Sequence, residues 1–206
     1  MQRITLYLSI LILGLSSLTV SAEDAGLTQG IRDIQHEWAH IHYQLPEKQQ
    51  ADALIKQYPE RAEPLVWKAV LISTHAGVKG GLGALGMVRE ARDLLEQAKQ
   101  IDPNTLQGSI YTSLGSLYYQ VPGWPLGFGS DKKAKEFLTQ ALAINPDGLD
   151  PNYFYGDFLY RKGHYSEALS VLEKAMHAPS RPSRPLADEG RRKEIQAVIA
   201  KIKDKT

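Results

Sequence analysis

The chain has 206 residues, no cysteine and nearly balanced charge, with 24 Lys and Arg against 23 Asp and Glu. Without cysteine neither a disulfide frame nor a lipid-modified cysteine is available, so packing alone must hold the fold. The even charge excludes the broad basic surface that nucleic-acid binding needs, and it gives no reason for strong membrane binding.

Met1 to Ala22 has the pattern of a secretion signal: Arg3 at the positive end, an uncharged apolar run from Ile4 to Val20, and the small pair Ser21-Ala22 at the cleavage point. Cleavage there predicts a product that begins at Glu23, has 184 residues and, with Arg3 gone, carries 23 charges of each sign. Such a length supports one domain, 23–206, that buries roughly 70% of its unfolded surface. Retention of the segment as an anchor is the alternative, since the run lies at the lower limit for crossing a bilayer.

Next, Ile31, Ile34, Trp38, Ile41 and Leu45 recur at three and four, the stripe of an amphipathic helix, and Pro46 to Tyr58 reads as its partner. Inside the stripe, His36-Glu37-Trp38-Ala39-His40 matches H-E-x-x-H, in which two His on one face bind zinc and the Glu acts on bound water. At about 100° per residue, His36 lies about 200° from Ile34 and His40 about 200° from Trp38, so both imidazoles point away from the apolar stripe. A solvated helix face, no metal site and no cofactor are expected; a zinc-dependent hydrolase is the competing reading.

From Trp67 onward a motif recurs. One copy has Tyr111, Leu114, Gly115 and Tyr118, then Ala134, Leu138, Ala141 and Pro146; the following copy has Tyr155, Gly156 and Leu159, then Ala168, Leu172, Ala175 and Pro179. A looser copy precedes them, with Trp67, Leu71 and Thr74, then Ala91, Leu95, Ala98 and Pro103. Small residues let two antiparallel helices approach, large ones fill between pairs, and Pro ends the second helix. Ala134 to Ala168 spans 34 positions and Ala91 to Ala134 spans 43, so additional residues sit in the earlier copies.

The extra length falls in two glycine-rich apolar segments, Ala76 to Gly86 and Val121 to Ser130, both read as enlarged turns inside a helix pair. Insertions at equivalent places in neighbouring repeats emerge from one edge of a solenoid. Gly77, Gly80, Gly81, Gly83 and Gly86 lack a following G-K-[ST] and a preceding strand, so a flexible turn is expected there and not a phosphate cradle. In the second segment Trp124, Leu126 and Phe128 either tuck back onto neighbouring helices or form an apolar lip for a ligand.

After Pro179 the link APSRPSRP reads as extended, with Arg181, Arg184, Arg191 and Arg192 expected to be solvated, the alternative being contact with an acidic partner or a lipid head group. Leu186, Ile195, Val198, Ile199 and Ile202 mark a final amphipathic helix that closes the last apolar face.

The motif resembles the tetratricopeptide repeat (TPR) superfamily from about Glu60 to Pro179, with a further pair from Ile31 to Tyr58. The resemblance implies an all-α solenoid of about three to four helix pairs with a C-terminal capping helix. It also implies a concave groove that receives a protein or peptide segment, lined here by Lys68, Ile72, His75, Thr112, Ser116, Tyr119, Tyr153, Asp157, Tyr160 and Arg161. Ile72, Ser116 and Asp157 replace the Asn-type positions of the two-carboxylate clamp, so an acidic chaperone tail is not the expected ligand. An exported TPR chain with enlarged GG-containing turns also resembles the periplasmic T component associated with TRAP transporters. The functional expectation is a periplasmic or otherwise exported binding protein without catalytic residues. It would hold a protein segment or small hydrophobic ligand at Lys68, His75, Tyr119, Trp124, Phe128, Tyr153, Asp157, Tyr160 and Arg161, as an accessory to solute uptake. A purely structural envelope protein is the other alternative.

Overall fold

The computed structural model describes residues 22–41 and 46–205, with side chains described for 24–36 and 49–205. Residues 1–21, which carry nearly all of the segment read as a secretion signal, Leu45, and the side chains of Glu37, Trp38, His40 and Ile41 lie outside the described residues. Nine helices and no strand are found among the described residues: α1 (Ala22–Ile41), α2 (Pro46–Gln57), α3 (Glu63–Lys79), α4 (Gly81–Ile101), α5 (Thr105–Gln120), α6 (Asp131–Ile144), α7 (Leu149–Arg161), α8 (Tyr165–Met176) and α9 (Pro185–Lys203). The fold is the expected all-α solenoid, four helix pairs and a closing helix.

The repeat residues build it. Ala91, Leu95 and Ala98 on α4, Ala134, Leu138 and Ala141 on α6, and Ala168, Leu172 and Ala175 on α8 are all completely buried. Each triplet at spacings of four and three makes one seam against the preceding helix. Gly115 of α5 lies so close to α6 that a Cβ would sit 2.6 Å from Leu138 Cγ, and Gly156 of α7 stands in the same relation to Leu172, also at 2.6 Å. Gly115 thus faces Leu138, one turn on from Ala134.

The odd-numbered helices form one layer, α1 beside α3, then α5, α7 and α9, while α2, α4, α6 and α8 form the other. The curl brings α9 back into contact with α1. Two apolar clusters result: one from α1 to α3 around Ile34, Leu54 and Trp67, and a larger one that runs from α3 to α9. In α9, Ile195, Val198 and Ile202 are buried as the capping role requires, whereas Leu186 is exposed.

Two sequence expectations are corrected. Ala76 to Gly86 is not an enlarged turn: α3 continues to Lys79 and α4 begins at Gly81, with Gly80 at φ 61° as the reversal. Gly77 belongs to α3, and Gly83 and Gly86 to α4, so this pair, of 17 and 21 residues, overruns the next pair, of 16 and 14, chiefly through α4. Nor are the arginines after Pro179 solvated. Arg181, Arg191 and Arg192 all bond to neighbouring elements, as described below.

Candidate functional site

A groove of about 840 Å³ opens on the concave side. One wall is α3, presenting Val66, Trp67, Val70, Ser73, Thr74 and Gly77; the facing wall is α5, presenting Ser109, Thr112, Ser113, Ser116, Leu117 and Gln120. The mouth is made by the overrun of α3 and α4 with Val78, Leu82, Leu85 and Val88, and by Pro122 and Leu126 of the 121–130 loop. Asp150 and Phe154 of α7, with Arg184 and Arg191 from the start of α9, close the other end.

The hydroxyls on these walls are mostly turned inward. Ser73 donates to Ala69 O, Thr74 to Val70 O and Ser109 to Leu106 O, each at 2.7 Å, and Thr112 donates to Gly108 O. Such back-bonding spends the donor on the residue's own helix and leaves carbon facing the groove. Leu106 reaches the groove because Leu106, Gln107 and Gly108 hold positive φ at the beginning of α5.

Both glycine-rich segments border the groove, and the second is held to α4 just beyond the end of the first. Arg89 of α4 donates to Leu126 O at 3.2 Å, and Arg92 lies over the Phe128 ring at 4.7 Å. Within the loop, Gly129 N donates to Pro122 O and Ser130 N to Tyr118 O, while a Cβ on Gly129 would fall 1.9 Å from Val121 O. Only glycine allows that approach. The aromatic residues split: Phe128 packs edge-on against Tyr118 at 5.3 Å, whereas Trp124 is 89% exposed. Val78, Leu82 and Leu126, at 65%, 78% and 58%, share that exposure around the mouth.

The groove residues implied by the family resemblance are placed differently. Of the α3 set none lines the groove: Lys68 pairs with Asp52 at 2.8 Å and Glu90 at 3.6 Å, Ile72 is buried core, and His75 is half-buried elsewhere. Thr112 and Ser116 do line it. Tyr119, Asp157 and Arg161 form their own network, in which the Tyr119 hydroxyl (2.7 Å) and Arg161 Nε (2.8 Å) both donate to Asp157 Oδ2. Burial first, and then the Asp157 charge, push the Tyr119 hydroxyl well above its ordinary range, so it remains a donor. Tyr153 lies under the Arg191 guanidinium at 4.3 Å, and Tyr160 packs with Tyr165 and Lys205. Along α7, therefore, α9 covers the face that the family pattern leaves open.

Sequence reasoning missed the charged end of the groove. Asp150 accepts from Arg181 Nη1 at 2.6 Å through Oδ2 and from Arg191 Nε at 2.8 Å through Oδ1. Arg181 also bonds Asp188, and Arg191 pairs with Glu194. Burial alone would raise the Asp150 carboxyl, but Arg191, Arg181 and Arg184 outweigh it and hold the group well below the usual carboxylate range. Arg184 stacks on the Trp67 ring at 5.1 Å. On α1, His36 is exposed; the side chains of Glu37 and His40 lie outside the described residues, and no group of three metal-ligating side chains occurs among those described.

Residues 132–181, from α6 through α8 to Arg181, match the tetratricopeptide repeat family model. No curated protein matches the chain. Among solved structures, a thermophilic TPR protein of Thermus thermophilus is similar, with 17% identity and a TM-score of 0.47 over 85% of this chain and 100% of that one. The repeat match over 132–181 and the stacked helix pairs give the chain a tetratricopeptide-repeat fold, an architecture that typically serves as a scaffold for protein partners.

Proposed function

We infer that the chain is an exported, non-catalytic binding protein whose working site is the groove between α3, α5 and the overrun of α4. The observation that carries this reading is the groove itself: its volume of about 840 Å³ lies within the range of about 300–1,000 Å³ common for ligand pockets, and its walls are apolar in effect. Apolar side chains left exposed around one mouth mark an interaction site more often than they mark an unused surface. Export rests on the N-terminal run Ile4 to Val20 followed by Ser21-Ala22. Its most specific form, an accessory role in solute uptake across an envelope, rests on the family likeness.

The test is to express the whole chain in a bacterial host, recover it from the envelope, and identify what travels with it by mass spectrometry. A parallel preparation would carry Ser113→Trp, which fills the groove from the α5 wall. The expected result is an exported product beginning at Glu23, with a ligand or partner retained by wild type and lost from a Ser113→Trp protein of unchanged melting temperature. Equal recovery from both would remove the groove as the site, and a product confined to the cytoplasm would remove export.

A further inference from the structure

The four charged groups at the closed end of the groove are not equally satisfied. Asp150 spends both oxygens on Arg181 and Arg191, and those two arginines have further carboxylates in Asp188 and Glu194. For Arg184 no side-chain hydrogen bond is found among the described residues: its Nε is buried without a partner, and its guanidinium carbon lies 5.1 Å from the centre of the Trp67 ring. Contact with an aromatic ring gives a guanidinium no acceptor for its N–H groups, and Arg184 lines the groove with its Nε–H unmatched. Burial, then the like charges of Arg181 and Arg191, outweigh the attraction of Asp150 and Asp188 and lower the Arg184 guanidinium below its ordinary value. A cation in this position is short of one anionic acceptor.

We propose that the groove takes a single-chain amphiphile with a carboxylate head, the head on Arg184 beside Trp67 and the apolar chain running along α3 to the mouth at Val78, Leu82 and Leu126. This deepens the binding-protein reading above and rests on it. Three considerations select the occupant. A carboxylate brings one negative charge and two oxygens, matching one unpartnered guanidinium, whereas a doubly charged phosphate would add a charge that faces Asp150. Four of the six wall hydroxyls, those of Ser73, Thr74, Ser109 and Thr112, are spent on their own helices, so Ser113, Ser116 and Gln120 alone on these two walls could meet a peptide backbone, most of whose N–H and C=O groups would lack partners at a cost an acyl chain does not incur. Trp67 to Val78 spans about 17 Å at 1.5 Å per helical residue. An extended chain advances about 3.5 Å over three bonds, so roughly a dozen to fourteen carbons fit between the guanidinium and the mouth.

The experiment uses the purified chain after solvent extraction of bound lipid, titrated calorimetrically at pH 8 with dodecanoate, dodecanol and an apolar hexapeptide bearing a free C-terminal carboxylate. Dodecanoate is expected to bind best. Arg184→Gln should weaken dodecanoate at least tenfold while changing dodecanol less than threefold, and Arg184→Lys should restore part of the difference. Melting temperatures should change little in either variant, because no side-chain hydrogen bond of Arg184 is found among the described residues and Asp150 keeps its bonds to Arg181 and Arg191. If dodecanoate and dodecanol bind alike, Arg184→Gln has no effect and Ser113→Trp abolishes both, the groove stands as a site and the anionic head is overturned. Tighter binding of the hexapeptide than of dodecanoate overturns the amphiphile in favour of a protein segment. If none of the three binds and wild type carries nothing from the envelope, the groove reading falls as well.

Discussion

Asp150 is the residue on which the closed end of the groove depends. Its carboxylate is held below its ordinary range by Arg191, Arg181 and Arg184 against the opposing effect of burial. In the unfolded chain the same group titrates near about 3.9. A depressed folded value means that its contribution is complete above about pH 4 and fades as the pH falls toward the folded value. Asp150→Asn, which removes the buried carboxylate that bridges Arg181 and Arg191 and leaves them only Asp188 and Glu194, should lower stability by up to about 3–5 kcal/mol at pH 7. The gap between the melting temperatures of wild type and variant should be constant from pH 7 to 5 and narrow below pH 4; a gap that holds its size at pH 2.5 would show that the charge is not what stabilises. At the same scale, Gly115→Ala and Gly156→Ala each drive a Cβ to 2.6 Å from a leucine Cγ and should cost about 1–3 kcal/mol by thermal melting. These glycines were legible in the sequence because the repeat places a small residue where helices touch. The charge cluster was not, since Arg181 and Arg191 meet Asp150 across 31 and 41 positions and nothing local to a Pro-rich link names such a partner.

The elements follow the repeat closely where apolar spacing sets them and depart from it where glycine density was taken as punctuation. Five glycines between Ala76 and Gly86 read as a turn, yet Val78, Leu82, Leu85 and Val88 keep a helical period through them, and tertiary packing of α3 on α4 overrides the weak propensity. Only Gly80 and Gly81 hold a left-handed φ, 61° and 64°. A Cβ added at Gly77 or Gly86 would meet nothing within 4 Å. Gly77→Ala and Gly86→Ala should therefore each stabilise by about 0.5–1 kcal/mol, while Gly80→Ala should destabilise, all read as shifts in denaturant midpoint. A loss of stability in the first two variants would return the segment to the turn expected from composition. The 121–130 loop went the other way: prolines and glycines marked it correctly as non-helical, but no pattern could tell that Phe128 packs on Tyr118 while Trp124 stays exposed. Trp124→Ala should accordingly leave the melting temperature within about 2 °C of wild type, in contrast to the loss of about 3–5 kcal/mol that a core tryptophan would show.

At the scale of the molecule, the closing helix does more than cover an apolar end. It continues the layer of α1, α3, α5 and α7, lies over Tyr153 and Phe154, and carries the arginine that neutralises Asp150 as well as the one that stacks on Trp67. The sequence indicated a cap from Ile195, Val198 and Ile202. It could not indicate that the cap also fills the α7 part of the concave face, which is why Tyr153 and Tyr160 were expected to line an open groove. Removal of residues 180–206 should therefore do two separable kinds of damage. It uncovers the apolar face of α7 and α8, and it strips Asp150 of Arg181 and Arg191, leaving a carboxylate without its counter-charges. The second part alone is worth roughly 3–5 kcal/mol, which for a domain of this size is a fall of roughly 6–20 °C in melting temperature. The two parts separate through a second substitution. Asp150→Asn destabilises the full chain, but in the truncated chain it removes the orphaned charge and should raise the melting temperature by several degrees. A substitution that lowers stability in both backgrounds, measured by circular dichroism melts at pH 7, would mean that Asp150 holds α7 by some means other than the arginines of the closing segment.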